Sequence, residues 1–254
     1  MTSAPALPSF YSLVAHESID STNEEAKRLA AAGAASGTLV WAREQTAGRG
    51  RRGRGWVSPV GNLYLSLLLR PGCAPAVACQ VNFVTSVALA EAIAEFLPVG
   101  KVVALKWPND VLVGGAKVSG ILLEASAAAD GSVEWLVVGV GVNIAAAPEG
   151  TPYPATGLAR EGASDASVEA VLTAFARRFE AAYEAWQEQG FAPVRARWLA
   201  GARGLGEPIE VRLERETLHG RFADLDAAGT LALDMADGRR RHIAAGDLFF
   251  PQLA

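Results

Sequence analysis

The segment 45–62, QTAGRGRRGRGWVSPVGN, is the feature that most restricts how this chain can fold. It places four arginines among glycines, and the interior of a helix or strand would make poor use of so many glycines. Strand-like apolar runs lie on both sides of it, at 38–44 and 63–70. We therefore predict a flexible cationic loop that connects two strands.

The charge of this region differs from that of the rest of the chain. From Gln45 through Ala90 there are five arginines and no acidic residue, a formal charge of +5, whereas the whole chain of 254 residues carries −4. The remaining residues therefore carry −9, the difference between these two values. A basic island in an acidic protein predicts a local anion site rather than a general affinity for polyanions.

Two common phosphate-binding motifs do not fit the loop. Gly48, Gly50 and Gly53 satisfy G-x-G-x-x-G, but no helix is predicted to begin there. A dinucleotide-binding fold also needs an acidic residue about 20 residues after the motif, and the first acidic residue after it is Glu91. A P-loop would continue with Gly-Lys-Ser/Thr, whereas Gly53 is followed by Arg-Gly. On this segment alone, a solvated arginine-glycine loop or a nonspecific RNA-binding patch stays open as an alternative.

Composition indicates a globular protein. Half of the residues are apolar and the mean hydropathy is +0.19, which favours one large domain and a small one. The first basic residue is Lys27, so no N-terminal signal pattern is visible. The uncharged run 71–90 contains two prolines and several polar residues, and we predict a soluble helix over 77–97. Two cysteines are too few for a disulfide framework, and we expect a cytoplasmic location.

Local patterns predict the remaining elements. Ser21 and Glu24 form a capping-box pattern at the start of a helix, although the same helix N-terminus could also present polar groups to a ligand. Residues 102–144 predict neighbouring, largely antiparallel strands with a hairpin turn at Gly114-Gly115, and 168–186 shows the spacing of an apolar helix face. Short alternating strands from Glu207 onward predict a small SH3-like β-barrel.

Four motifs then occur in order: DSTN at 20–23, QTAGRGRRGRGW at 45–56, KWPND at 106–110 followed by KVSGILLE at 117–124, and GVGVN at 139–143. In this order and spacing the chain resembles the biotin protein ligases over nearly its whole length. The resemblance implies an α+β fold. A catalytic domain at 1–203 would contain a class II aminoacyl-tRNA synthetase-like mixed, largely antiparallel sheet with flanking helices, and an SH3-like C-terminal domain would follow at 204–254.

Some members of this family carry an N-terminal winged helix that binds DNA. This chain begins about ten residues before its first predicted strand, so we expect the monofunctional type, with no DNA partner.

The resemblance also implies a reaction. Biotin and ATP would form biotinyl-5'-AMP with Mg2+ present, and biotin would then pass to a lysine of a biotin carboxyl carrier protein domain. We expect no membrane partner and either a monomer or a homodimer, and the sequence identifies no metal ligand. A lipoate-type ligase, or a non-enzymatic anion-binding or nucleic-acid-binding module, stays open as an alternative function.

The motifs imply site residues by their matching positions. Residues implied to bind biotin are Ser21, Thr22, Asn23, Gln45, Arg49, Gly50, Arg51, Lys117 and Gly120. Residues implied to bind ATP are Arg52, Arg54, Trp56, Lys106, Asn109 and Asn143. Lys117, Arg49, Arg51 and Asp110 form the implied catalytic set. For Asp110, an ion pair that positions Arg51 is an equally acceptable interpretation, and no side chain is an obvious general base.

Overall fold

A seven-stranded mixed sheet forms the centre of the structure, a computed structural model that describes residues 5–151 and 153–250. The strands are β1 (Ser12–Ile19), β2 (Thr38–Gln45), β3 (Leu63–Leu69), β4 (Val103–Lys106), β5 (Asp110–Val113), β6 (Ala116–Ala127) and β7 (Val133–Val142). Their order across the sheet is β1-β2-β3-β7-β6-β5-β4. Only β1 and β2 run parallel, and the other neighbours are antiparallel. An α+β fold with a largely antiparallel sheet is therefore confirmed, although β3 pairs with β7 and not with the strand that follows it.

Helices cover both faces of this sheet. They are α1 (Thr22–Ala31), α2 (Pro75–Ala78), α3 (Val81–Ala94), α4 (Val168–Gln189) and α5 (Phe191–Ala200). On one face α1 buries Ala26 and Ala30 against Val40 and Leu68. On the other face α3, α4 and α5 join the larger apolar core. Because β3 is buried on both faces, all seven of its residues are inaccessible, and six of the seven are apolar.

The predicted helix over 77–97 is wrong in its details. The chain forms two helices, α2 and α3, with a break at Cys79 and Gln80, and Val77 is 39% exposed. At this break the side-chain carbonyl of Gln80 accepts a hydrogen bond from the Trp186 indole of α4 at 3.0 Å. By length and composition Pro75–Ala94 could cross a membrane, but 61% of its apolar window is buried within the protein. This share is typical of a core helix.

A second, five-stranded sheet follows α5. Its strands are β8 (Pro208–Arg212), β9 (Thr217–Leu225), β10 (Leu231–Met235), β11 (Arg240–Ile243) and β12 (Asp247–Phe249), in the order β11-β10-β9-β8-β12. All neighbours are antiparallel. β9 is not predicted from the sequence, because His219 and Gly220 interrupt its apolar positions. Phe222 of β9 packs 6.4 Å from Trp198 of α5, centroid to centroid, and so connects this sheet to the helices.

Candidate active site

A pocket of about 270 Å³ lies where the loop after β2 meets the glycine-rich parts of β6 and β7. Its floor is made by Gly120 and Gly141, which are paired across these two strands, and by Gly139. A Cβ atom on Gly141 would come within 2.6 Å of the Trp56 indole, and one on Gly139 within 2.1 Å of Asn23 Oδ1. Glycine is therefore needed at both positions, because two side chains of the pocket lie directly on the strand backbone.

The N-terminus of α1 supplies a polar wall. Gln45 Oε1 accepts hydrogen bonds from the Thr22 backbone N–H at 2.8 Å and from the Thr22 hydroxyl at 3.1 Å, while Gln45 Nε2 donates to Ser58 Oγ at 2.9 Å. The Ser66 hydroxyl, in the middle of β3, lies 2.8 Å from the Thr22 hydroxyl and donates to Asn23 Oδ1 at 2.5 Å. The wall is therefore preorganised by hydrogen bonds that are partly or fully buried.

The capping-box prediction for α1 is wrong. Ser21 is the N-cap residue and has an extended backbone, but its side chain makes no capping hydrogen bond. The Ser21 backbone N–H instead donates to Asp20 Oδ1 at 2.7 Å. Glu24 forms ion pairs with Lys27 and Arg49. The polar residues at this helix start therefore face the pocket, where Ser21 and Thr22 line its wall.

A buried aspartate lies between two lysines on another side of the pocket. Asp110 Oδ1 is 2.5 Å from Lys117 Nζ, and Asp110 Oδ2 is 3.2 Å from Lys106 Nζ. Burial opposes ionisation of Asp110, but the charges and hydrogen bonds of the two lysines outweigh it and hold the Asp110 pKa below its ordinary value. Burial lowers the pKa of Lys106, against the opposing pull of Asp110. The interpretation of Asp110 as the ion-pair partner of Arg51 is wrong, because this carboxylate is occupied by the lysines.

Aromatic rings complete the surroundings of the lysines. Lys106 Nζ lies 4.6 Å from the centroid of the Tyr153 ring and 5.8 Å from that of Phe249, and Lys117 Nζ lies 5.3 Å from that of Trp56. Such cation–π contacts attract an ammonium group to the face of an aromatic ring. Both ammonium groups are therefore held in fixed positions at the edge of the pocket.

The arginine-glycine loop forms a small hairpin. Gly50 N–H donates to the Arg54 carbonyl at 2.7 Å, and between them Arg51–Gly53 makes a single 3₁₀ turn. Arg52 has a φ of 54°, in the left-handed region that few residues other than glycine adopt. The loop therefore has a definite, turn-based conformation.

Each arginine of this loop has a protein partner. Arg49 pairs with Glu24 and lies 3.4 Å from Glu124. Arg51 Nη1 donates to Asn109 Oδ1 at 3.1 Å and to the Gly246 carbonyl at 3.4 Å, and burial lowers the Arg51 pKa. Arg52 and Arg54 bind the two carboxylate oxygens of Asp247, at 3.2 and 3.1 Å, so the second sheet contributes to this site. The charge that stands out in the sequence is thus largely offset by acids distant in the chain.

The structure brings together nearly all of the implied site residues. Those that line the pocket are Ser21, Thr22, Asn23, Gln45, Arg49, Gly50, Arg51, Arg54, Trp56, Lys106, Asn109, Asp110, Lys117, Gly120 and Asn143. Arg52 does not line it and binds Asp247 instead. Asn23 lines the pocket but donates its amide to Glu124 at 2.9 Å and accepts from Ser66. Both of its polar atoms are therefore already engaged by the protein.

Several residues in and around the site are not predicted from the sequence. Ser66 carried a usable signal in the sequence, because a serine interrupts the otherwise apolar run LYLSLLL. In the structure this serine donates a hydrogen bond to Asn23 of the DSTN motif. Glu124 belongs to the third motif, but the motif implies no role for it. For Glu24 the sequence predicts only a role in a helix cap. Asp247 and Phe249 carried no signal, since nearly 200 residues separate Asp247 from the loop that it contacts.

Asp247→Ala is expected to loosen the loop, because it removes the carboxylate shared by Arg52 and Arg54. Exposed ion pairs of this kind contribute about 0.2–1 kcal/mol each, so trypsin cleavage at 49–54 should become about two- to fivefold faster. Cleavage is measured by mass spectrometry during limited digestion. Asp237→Ala is the matched control, because Asp237 pairs with Arg239 away from the pocket. Equal cleavage rates in the Asp247 variant and the unaltered protein would contradict this role.

Comparison with known proteins gives a consistent result. The sequence matches the Biotin/lipoate A/B protein ligase family over residues 55–200 and the Biotin protein ligase C terminal domain over 204–250. It is 42% identical to the biotin--[acetyl-CoA-carboxylase] ligase of Paracoccus denitrificans, over 91% of this chain and 97% of that one. It is 33% identical to the bifunctional ligase/repressor BirA of Bacillus subtilis, over 92% of this chain and 72% of that one.

A solved structure shows the same likeness in three dimensions. The biotin protein ligase from Aquifex aeolicus, in complex with biotin and ATP, superposes with a TM-score of 0.80. The two chains are 30% identical, and the superposition covers 93% of this chain and 97% of the other. The likeness therefore extends over both sheets.

Proposed function

The chain belongs to the biotin protein ligase family, and we propose that it activates biotin with ATP to biotinyl-5'-AMP and transfers biotin to a lysine of a carboxylase biotin carrier protein. The names of the Paracoccus and Aquifex relatives support both the acceptor and the two small substrates. The single observation that carries the proposal is the convergence of Lys117, Arg49 and Arg51 on one glycine-floored pocket.

In the first step, an oxygen of the biotin carboxylate attacks the α-phosphorus of ATP and pyrophosphate leaves. Both reactants are anionic, so the protein must supply positive charge in a fixed geometry. Lys117 fits between carboxylate and phosphate as a compact point charge, because Asp110 holds its ammonium at 2.5 Å. The guanidinium groups of Arg49 and Arg51 can bind further anionic oxygens in a bidentate manner.

Two groups of residues that line the pocket suit different parts of the substrates. The hydroxyl, amide and backbone groups of Ser21, Thr22 and Gln45 suit the polar head group of biotin, and we assign them to it. We assign the nucleotide to the neighbourhood of Asn109 and Asn143. Arg54, Trp56 and Lys106 line the same pocket and complete the proposed ATP contacts.

In the second step, the amine nitrogen of the carrier lysine attacks the acyl carbon of biotinyl-5'-AMP, and AMP leaves with the electron pair of the broken C–O bond. The amine must first lose a proton. The Asp110 pKa lies below its ordinary value and both of its oxygens bind lysines, so Asp110 is a weak base in this setting. We therefore assign Asp110 the orientation of Lys117.

Mg2+ belongs to this proposal as the companion of ATP. The described residues contain no group of three or more His, Cys, Asp and Glu side chains that could hold a metal ion. Mg2+ commonly binds through substrate phosphates, waters and one or two protein groups. This chemistry fits a metal that arrives with ATP, where it would offset phosphate charge, and the amide side chains of Asn109 and Asn143 are the protein groups that we assign to its neighbourhood.

We also propose a domain division. Residues 1–203 would form the catalytic domain, related to the class II aminoacyl-tRNA synthetases, and 204–254 an SH3-like barrel. The separate family match at 204–250 and the five-stranded antiparallel sheet support this division. A cytoplasmic location is part of the proposal, since the exposed thiol of Cys79 suits a reducing compartment.

The two alternative functions are less well supported. A lipoate-type ligase is compatible with the first family match but not with the specific match of 204–250 to a biotin ligase domain. A nucleic-acid or anion-binding module would use the loop arginines as a free basic surface. Arg49, Arg52 and Arg54 are instead each paired with a carboxylate of the protein.

Pyrophosphate release in the presence of ATP and Mg2+ tests the proposed function. We expect release that depends on biotin, little release with lipoate, and label transfer from [¹⁴C]biotin to an added biotin carrier domain. A carrier domain whose acceptor lysine is replaced by arginine is the control for transfer. Release with lipoate at the rate seen with biotin, or no release with either acid, would contradict the proposal.

A further inference from the structure

Four charged side chains form a closed cluster beside the pocket. Lys27 Nζ binds Glu24 at 2.7 Å and Glu124 at 3.2 Å, and Arg49 pairs with the same two carboxylates. The cluster therefore has two acids, two bases and no net charge. Its parts come from α1, β6 and the arginine-glycine loop.

Glu124 is the fixed member of this cluster. Asn23 donates to Glu124 Oε2 at 2.9 Å, and Asn23 is itself 4% exposed and bonded to the buried Ser66. Burial opposes ionisation of Glu124, but the hydrogen bonds from Asn23 and Lys27 and the nearby charges of Lys27 and Arg49 keep its pKa below the ordinary value. Glu124 therefore stays charged near neutral pH and attracts Arg49.

Arg49 must leave Glu24 and Glu124 before it can bind an anionic ligand. The guanidinium engages two protein carboxylates, yet the proposed reaction needs it on an anionic group of the ligand. If Arg49 moves to a ligand, Lys27 stays in contact with both acids and leaves the remaining three charges at −1. Without Lys27 the two acids would be left at −2, so the departure of Arg49 would cost more free energy.

We propose that Lys27 is a positioning residue that allows Arg49 to exchange its protein carboxylates for the carboxylate of biotin. Lys27 itself is not among the residues that line the pocket. Glu24 and Glu124 hold Arg49 at the pocket, and Lys27 remains their partner once Arg49 has turned to the ligand. This inference rests on the proposed function, because it takes biotin as the anion.

Biotin binding measured by calorimetry tests this inference independently of turnover. Lys27→Met keeps most of the side-chain volume and removes the charge. Because the four side chains are 21–42% exposed, the electrostatic effect is moderated by solvent, and we expect biotin affinity to fall about fivefold. The KM for biotin in pyrophosphate release should rise by the same factor, with kcat changed less than twofold.

Two further variants separate the charge effect from a structural one. Lys27→Arg keeps the positive charge and should retain the affinity of the unaltered protein. The double variant Lys27→Met/Glu24→Gln removes one charge of each sign and should recover most of the lost affinity. The loss in Lys27→Met should also shrink at 1 M NaCl, where the Debye length falls to about 3 Å.

Lys101→Met is the matched control, since Lys101 forms a 2.7 Å ion pair with Glu161 and is not part of the pocket lining. Its biotin affinity should not change. Unchanged affinity in Lys27→Met would overturn the inference, and so would an equal loss in the double variant. If the unaltered protein fails to bind biotin, the proposed function is contradicted instead. If it binds biotin but releases no pyrophosphate, the proposed chemistry is contradicted, and the binding data of the Lys27 variants still decide the role of Lys27.

Discussion

Lys117→Ala is expected to slow biotin adenylation by about 10²-fold or more and to leave the fold intact. Lys106 and Lys117 both contact Asp110 in the pocket, but the side chain of Lys117 is 26% exposed and that of Lys106 only 6%. The Lys117 ammonium group can therefore reach a ligand. Loss of one preorganised charge at a transition state typically costs a few kcal/mol. The fold should survive because Asp110 keeps its second partner, Lys106. Single-turnover pyrophosphate release measures the rate, and thermal unfolding measures the stability.

Two variants sharpen this experiment. Lys117→Arg keeps a positive charge but changes its shape, so we expect partial activity, below that of the unaltered protein and above that of Lys117→Ala. Lys101→Ala removes a lysine charge elsewhere and should have the full rate. Normal adenylation by Lys117→Ala would remove Lys117 from its assigned role. A parallel loss of activity and of thermal stability would show that the lysine acts through the fold instead.

Local sequence patterns were sufficient to predict the parts of the site that depend on near neighbours. The loop between β2 and β3, the turn at Gly114-Gly115 and the buried stripe of α4 all lie where spacing and residue type predict them. The motif GVGVN has a direct physical cause, since Gly139 and Gly141 accommodate Asn23 and Trp56 on the strand surface. The resemblance to the biotin protein ligases then added biotin and ATP as the expected ligands, which no pattern of spacing could supply.

Partners that are distant in the chain could not be predicted in this way. The contact of Arg52 with Asp247 depends on the docking of the second sheet, and the pairing of Arg49 with Glu24 depends on how α1 lies against the loop. A capping box and an ion pair compete for the same Glu24 carboxylate, and only tertiary structure decides between them. The same limit applies to Asp110, whose sequence neighbours do not reveal that it binds Lys117 across a hairpin.

Asp110→Asn is expected to have the largest effect on stability. The substitution leaves Lys106, which is 5% exposed, and Lys117 without their shared carboxylate. Removing one partner from a buried ion pair costs about 3–5 kcal/mol, because the remaining charges stay desolvated. Chemical denaturation should show this loss in the free energy of unfolding at pH 7. The double variant Asp110→Leu/Lys106→Met removes a charge of each sign and should be more stable than Asp110→Asn.

The pH dependence of this loss tests its cause. A carboxylate whose pKa is lower in the folded than in the unfolded protein stabilises the fold above its ordinary pKa of 3.8, and this stabilisation is lost as the pH falls through the lower, folded value. The free-energy difference between the unaltered protein and Asp110→Asn should therefore be full near neutral pH and shrink below pH 3.8, because a protonated Asp110 resembles asparagine. Asp165→Asn, at an exposed site outside the pocket lining, is the matched control for the loss of stability at pH 7. A gap that stays constant down to acid pH would mean that shape and packing, rather than the charge between two lysines, determine the role of Asp110.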